Sequence, residues 1–296
     1  MLLSDVRHWL SRASPVPAPS RHAPAAARPA VAAPDAPEPP WSLRRLALTH
    51  RLWGEGFILP GGSEEVLRLA APLGLSAASS LLLLGCGAGG PARAVATLLG
   101  AWVAGFEADA ALAAEATAVC ARAGLGKRVR IDTWDPAAPD FPAHSCHHVL
   151  AFDPFQRLAA PPLLDALAPA LRPGGQITLL AAVAEDGFDP AEEDAHTWLR
   201  LEAARAPPPR REAVARALAD RRFDVRVTED LSAAHMRQAV QAWRSLVRAL
   251  REAADRPDPA QAALLVREAE LWLRRVRLMR AGRLRWVRWH AIARPG

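Results

Sequence analysis

The 296-residue sequence predicts an α/β fold, and three observations carry that prediction. The first is the run Leu81-Leu82-Leu83-Leu84, long enough for one buried strand, which ends in Gly85-Cys86-Gly87-Ala88-Gly89-Gly90-Pro91. A helical pattern, Ala92 to Leu99, follows at once. The second is the alternation of further short apolar runs with helical stretches, the pattern of a mostly parallel sheet. The third is the passage from a helix, Leu163 to Leu171, through Arg172-Pro173-Gly174-Gly175 into a strand, Gln176 to Ala182.

The elements follow in order. Met1 to Ser11 can form a short amphipathic helix with Leu2, Leu3, Val6, Trp9 and Leu10 on one side. A frayed terminus is the favoured reading, and weak peripheral docking on a membrane or partner is the other. Ala13 to Pro40 is rich in Pro and Ala and too poor in apolar periodicity to offset its ordering entropy. Residues 1–40 are therefore expected to be disordered, with the folded domain spanning 41–296. Leu43 to Leu52 and Glu64 to Leu73 are helical patterns, the second with Ser63 as its expected N-cap. Strands are expected at Leu81 to Leu84, Ala101 to Phe106, Val129 to Thr133, His148 to Phe152 and Phe223 to Thr228. Pro190 to Arg205, capped by Asp189, and Arg211 to Ala219 are further helices. Ala233 to Ala254 and Pro259 to Arg280 are two long ones, and Gly282 to Ala291 reads as the last strand.

The glycine cluster marks a ligand loop. Glycines let the chain turn tightly and let a ligand approach the backbone, and the helix N-terminus that follows offers free N–H groups. Gly85, Gly87 and Gly90 fit the dinucleotide spacing G-x-G-x-x-G, while Gly85, Gly87 and Gly89 equally fit G-x-G-x-G. Glu107, at the end of the second strand, can accept both hydroxyls of a ribose. Trp134 and Asp135, after the third strand, suit an adenine ring face and its amino group.

With the Leu171 to Gly175 turn, these residues resemble the class I S-adenosylmethionine (SAM)-dependent methyltransferases over roughly Trp53 to Ala293. Trp53-Gly54-Glu55-Gly56-Phe57-Ile58-Leu59-Pro60-Gly61-Gly62 looks like the cofactor-capping segment of the phosphoethanolamine and related small-molecule N-methyltransferases. Asp230-Leu231-Ser232 and the two long helices look like their lid insertion, here 231–281. The resemblance implies a Rossmann-like sheet with an antiparallel last strand. It also implies SAM as cofactor, held by Gly85, Gly87, Gly89, Glu107, Trp134 and Asp135, with Trp53 and Phe57 closing over it. Asp153, after the fourth strand, would position the acceptor of a small-molecule substrate.

The chain departs from that group in the acceptor half. Leu83 stands where the glycine motif usually has an acidic residue, and His147 where an aspartate is usual ahead of the fourth strand. Arg157 and Thr49 occupy the places of a catalytic histidine and its tyrosine partner, and arginine is always protonated near neutral pH. The expected function is methyl transfer to a small N- or O-acceptor; the alternative is a non-catalytic binding protein on the same fold. Arginines of the lid and just after it, Arg280 and Arg283 among them, suggest an anionic acceptor.

Composition narrows the classes. The net charge is +6, Lys127 is the only lysine and tyrosine is absent, so no tyrosine can act as acid or base. No apolar run reaches the ~20 residues needed to span a bilayer. Cys86, Cys120 and Cys146 form no C-x-x-C pair, which indicates neither a disulfide framework nor a thiol zinc site and makes the cytosol the default compartment. The adjacent histidines of His144-Ser145-Cys146-His147-His148 point to opposite faces, a poor chelate, so no metal is expected. The C-terminal arginines, interleaved with Trp272, Trp286 and Trp289, span a helix end and a strand and diverge, so no nucleic-acid partner is expected. Oligomeric state is not legible in the sequence.

Overall fold

Leu81 and Leu83 face one hydrophobic cluster and Leu82 and Leu84 another, so the leucine tetrad is buried on both sides, as the period-two geometry of a strand requires. The structure, a computed structural model, describes residues 40–253 and 257–294. The expectations made for residues 1–39 lie outside the described residues.

The described strands are β1 (Ser80–Leu84), β2 (Trp102–Glu107), β3 (Val129–Thr133), β4 (Cys146–Phe152), β5 (Leu171–Ala184), β6 (Phe223–Asp230) and β7 (Leu284–Ala293). They form one sheet in the order β3-β2-β1-β4-β5-β7-β6. β1 pairs in parallel with β2, Leu82 opposite Ala104, and with β4, Leu82 opposite Val149. β7 lies between β5 and β6 and is antiparallel to both. This is the mostly parallel, Rossmann-like sheet that the sequence predicts.

The helices are α1 (Leu43–Trp53), α2 (Gly62–Ala70), α3 (Gly90–Leu98), α4 (Ala110–Arg122), α5 (Ala160–Leu167), α6 (Glu193–Glu202), α7 (Arg211–Asp220), α8 (Ser232–Glu252) and α9 (Pro259–Arg280). α5 and α7 cover one face of the sheet. α1 to α4, α6 and the paired lid helices α8 and α9 cover the other. Asp258 and Gln261 close a reciprocal capping box at the start of α9, and Pro259 suits its first turn.

Three local expectations change. The Arg172 to Gly175 turn is absorbed into β5, which starts at Leu171 opposite Cys146; Gly174 bends it at φ 72°, and the register shifts before His148 pairs with Gln176. The N-cap of α2 is the left-handed Gly61, so Ser63 lies inside the helix. α6 starts at Glu193, because the carboxylate of Asp189 accepts from Ala191 N–H in the turn before it.

The lid is fixed at three places. Arg274 of α9 reaches Asp194 and, at 3.0 Å, Glu193 of α6. Trp53 of α1 packs on Trp272 at 4.7 Å between ring centres. Arg45 of α1 pairs with Glu268 of α9 at 2.6 Å, both side chains almost fully buried. Among the described residues, no helix is long and apolar enough to cross a membrane.

Candidate functional site

A cavity of about 1250 Å³, its open mouth included, sits at the carboxyl ends of the parallel strands. The strand order reverses at β1 and β4, and such a switch point leaves a crevice in open α/β sheets. Gly85, Glu107, Asp153, Leu180 and Trp286 bring the ends or inner positions of five strands to its wall.

The glycine loop is built by close approach. Gly85 has φ 70°, and any Cβ there would run into the carbonyl oxygen of Phe152. Gly89 has φ 95°, and a Cβ would lie 2.7 Å from the Cα of Ala116 on α4. Gly85 and Gly87 line the cavity; Gly89 instead seats α3 against α4. The segment ahead of α2 lies over the loop: Gly90 donates to the carbonyl of Gly56 at 2.8 Å, and Arg93 and Arg122 both reach Glu55. From this segment Phe57 and Ile58 line the cavity, whereas Trp53 is committed to Trp272.

Glu107 is held rigidly. Its carboxylate accepts from Gly87 N–H at 2.9 Å, Ala108 N–H at 2.8 Å and Asp109 N–H at 3.3 Å. Burial pushes its pKa above the usual carboxylate range; the three backbone donors and the charge of Arg157 oppose that rise. Trp134 is buried against Phe141 and lines the cavity. Asp135 is exposed, outside the lining, and accepts from Ala137 N–H at 2.8 Å in its own turn. Five of the six cofactor residues read from sequence thus meet around the loop, four of them on the cavity wall.

Asp153 follows Phe152, whose carbonyl abuts Gly85, and lines the same wall. It has a left-handed backbone, φ 44°, with 9% of its side chain exposed. The carboxylate accepts from Ala182 N–H at 3.0 Å and Gln156 Nε2 at 2.5 Å. Behind it, 3.6 Å away, lies the guanidinium of Arg275 from α9, which is 3.8 Å from Glu202 at the end of α6. Arg275 is fully buried, against the rings of Trp286 at 4.7 Å and Trp272 at 5.3 Å. Burial raises the Asp153 pKa to about 6; Arg275 pulls against the rise and Glu202 adds to it. His235 of α8 stacks on Trp286 at 4.8 Å and also lines the cavity. Burial, and then the charge of Arg275, hold it well below the usual histidine range, so it is neutral.

Of this group only Asp153 was legible as a site residue. Arg275 belongs to an arginine-rich helix that reads as a solvated face, and nothing local distinguishes it from Arg274 or Arg277; the nearest hint is Trp272 one turn before it. Arg280 is exposed and Arg283 pairs with Glu192, and neither lines the cavity, so the lid arginines proposed for an anionic acceptor do not reach it. The rest of the C-terminal run is internal or paired: Trp272, Trp286 and Trp289 are buried, and Arg285 and Arg288 face Asp230 and Glu229. His147 sits at the other end of the sheet, between Ser80 Oγ at 2.8 Å and Arg172 at 2.9 Å.

The sheet order, the single antiparallel strand and the lid define the class I SAM-dependent methyltransferase fold. Residues 81–175, from β1 into β5, match a family described as a methyltransferase domain. Among solved structures, phosphoethanolamine N-methyltransferase 2 of Haemonchus contortus, in complex with phosphomonomethylethanolamine and S-adenosylhomocysteine, is similar with a TM-score of 0.73 and 19% identity. That match covers 84% of this chain and 57% of the nematode enzyme, so the chain spans little more than half its length. A putative sarcosine dimethylglycine methyltransferase from Galdieria sulphuraria gives a TM-score of 0.65 at 17% identity, covering 84% of this chain and 98% of that one. The [4+2]-cyclase SpnF gives 0.64 at 18%, covering 86% and 94%. No curated protein matches the sequence.

Proposed function

We propose that this protein is a methyltransferase that binds SAM in the cavity and transfers its methyl group to a small molecule. The observation that carries the reading is the fixed carboxylate of Glu107 beside the cavity-lining Gly85 and Gly87, at the switch point of the sheet. Three of the carboxylate's acceptor sites are taken by backbone donors, which fix its plane and leave capacity for a ribose hydroxyl. Trp134 supplies a ring face for adenine. Asp135 holds one carboxylate oxygen in its own turn and keeps the other for the adenine amino group.

When bound, SAM would supply a sulfonium methyl whose carbon the acceptor attacks, the S–CH3 bond breaking as the new bond forms and the sulfur leaving as a neutral thioether. The protein's part is to align the acceptor and exclude water, which can carry much of the barrier. Asp153 stands where an acceptor N–H or O–H would be held, and above about pH 6 it is ionised and accepts that hydrogen bond. Calorimetric titration with SAM, S-adenosylhomocysteine and NAD tests the cofactor. Binding of the first two without the third is expected; NAD binding without SAM binding would refute the reading. Glu107→Gln should weaken SAM about ten- to a hundred-fold.

A second reading, a binding protein without turnover, is favoured by Leu83, apolar and fully buried in β1, and by Arg157 in place of a base. Tight SAM binding with no methyl transfer to any of a panel of amines, alcohols and acids would favour it.

A further inference from the structure

The charged side chains on the cavity wall are matched one by one, with one exception among the described residues. Arg45 faces Glu268 at 2.6 Å, and Glu65 faces Arg68 at 2.7 Å. Glu107 has its three backbone donors. Asp153 and Glu202 share Gln156 and the guanidinium of Arg275. Arg157 also lines the wall, half-buried just after the turn that carries Asp153, and its guanidinium makes no hydrogen bond and no ion pair to a described residue. It acts through space on Glu107, whose pKa its charge lowers.

An arginine cannot shed its proton, and its five fixed donors suit a planar or tetrahedral oxyanion. A cation drawn partly out of water and left unmatched inside a cavity is costly unless something arrives to match it. We infer that Arg157 is the seat of an anionic group, a carboxylate or phosphate, of the ligand bound in this cavity. The inference rests on the proposed SAM reading for one of its two sources, the carboxylate on the amino-acid end of the cofactor. The other source is an acidic group on the acceptor. An anionic acceptor would then be recognised at the cavity wall and not by the lid arginines.

Calorimetry on the full chain separates the cases, with S-adenosylhomocysteine, with 5′-methylthioadenosine (the same nucleoside thioether without the amino-acid end) and with inorganic phosphate. Wild type, Arg157→Gln and Arg157→Lys are compared after matched melting curves show that each is folded. The expected result is that Arg157→Gln loses about ten- to a hundred-fold in S-adenosylhomocysteine affinity, keeps its 5′-methylthioadenosine affinity, and that Arg157→Lys falls between. That result assigns the cofactor carboxylate. Unchanged nucleoside binding, with phosphate bound by the wild type and not by Arg157→Gln, assigns the acceptor's anion. Equal losses for both nucleosides, or no difference between wild type and Arg157→Gln with any of the three probes, would overturn the inference. Should the wild type bind neither nucleoside, the cofactor reading falls by itself, and phosphate titrated into the free protein still decides whether Arg157 seats an anion.

Discussion

Around Gly85 to Gly90 the backbone does the holding. Left-handed glycines sit against the chain of Phe152 and of Ala116, and main-chain donors grip Glu107. Under the lid the parts are side chains from distant elements: Asp153 after β4, Glu202 ending α6, Arg275 on α9, His235 on α8 and Trp286 on β7. The first region tolerates almost no change of shape and carries little uncompensated charge. The second is held by charges taken out of water, where the loss of one partner strands the others. One part of a cavity wall can thus be fixed by backbone while the rest is built from side chains.

The comparison is broken most severely at Arg275. Arg275→Met should cost about 3–5 kcal/mol by leaving Asp153 and Glu202 without their shared cation. Arg275→Met combined with Asp153→Asn should recover part of that loss, and denaturant unfolding of the two single variants and the double gives the coupling. Additive losses would show that the three groups do not act as a unit.

Next is Gly89→Ala, expected to cost about 2–4 kcal/mol, because its φ of 95° and the Cα of Ala116 at 2.7 Å leave a methyl group nowhere to go. The same measurement reads it, and a loss below about 1 kcal/mol would mean that the loop yields more easily than its geometry implies.

The pH dependence of Asp153 sharpens the contrast. Its pKa in the folded protein, about 6, is above its unfolded value of 3.8, so the folded state holds the extra proton between those limits. The stabilisation associated with that proton is fully present below about pH 4 and is lost as pH rises through 6. Asp153→Asn has no such loss. Its stability relative to wild type should therefore climb by about 2–3 kcal/mol between pH 4 and 6 and level off above. A flat difference across that range would mean that the lid cluster fully compensates the charge.

The smallest effect is expected at the lid's own start. Asp258→Ala removes one arm of the α9 capping box and should cost about 1 kcal/mol in the unfolding transition while leaving SAM affinity unchanged. A change in affinity would tie the far end of α9 to the site.

The sequence made the first region legible because its chemistry is local. A leucine run, a glycine loop and an acidic residue closing the next strand lie within 27 residues of one another, Leu81 to Glu107, and each leaves its mark in residue type. The order of the elements, the antiparallel end and the lid helices were legible for the same reason, by period and punctuation. The second region is assembled from positions more than 120 residues apart, Asp153 to Arg275, and an arginine bound for the core is spelled like one bound for water. Arg280 and Arg283 differ from expectation on the same account: sequence shows that the arginines exist and not which way they face. Asp135 shows the opposite limit, a residue type well suited to a role whose side chain is exposed outside the cavity lining.

The place of β7 has a consequence for how the molecule comes into being. It is the last described strand in chain order, yet it lies between β5 and β6 and gives both their partner. During synthesis β1 to β5 can pair as they emerge, but β6 has no neighbour in the sheet, and one edge of β5 stays open, until β7 has been made. The open edge is the long apolar stretch Leu179 to Ala184, a template for pairing with another chain. Ribosome stalling, or premature termination within the lid, would therefore release a nascent chain with a formed glycine loop and a bare sheet edge, a species prone to aggregate.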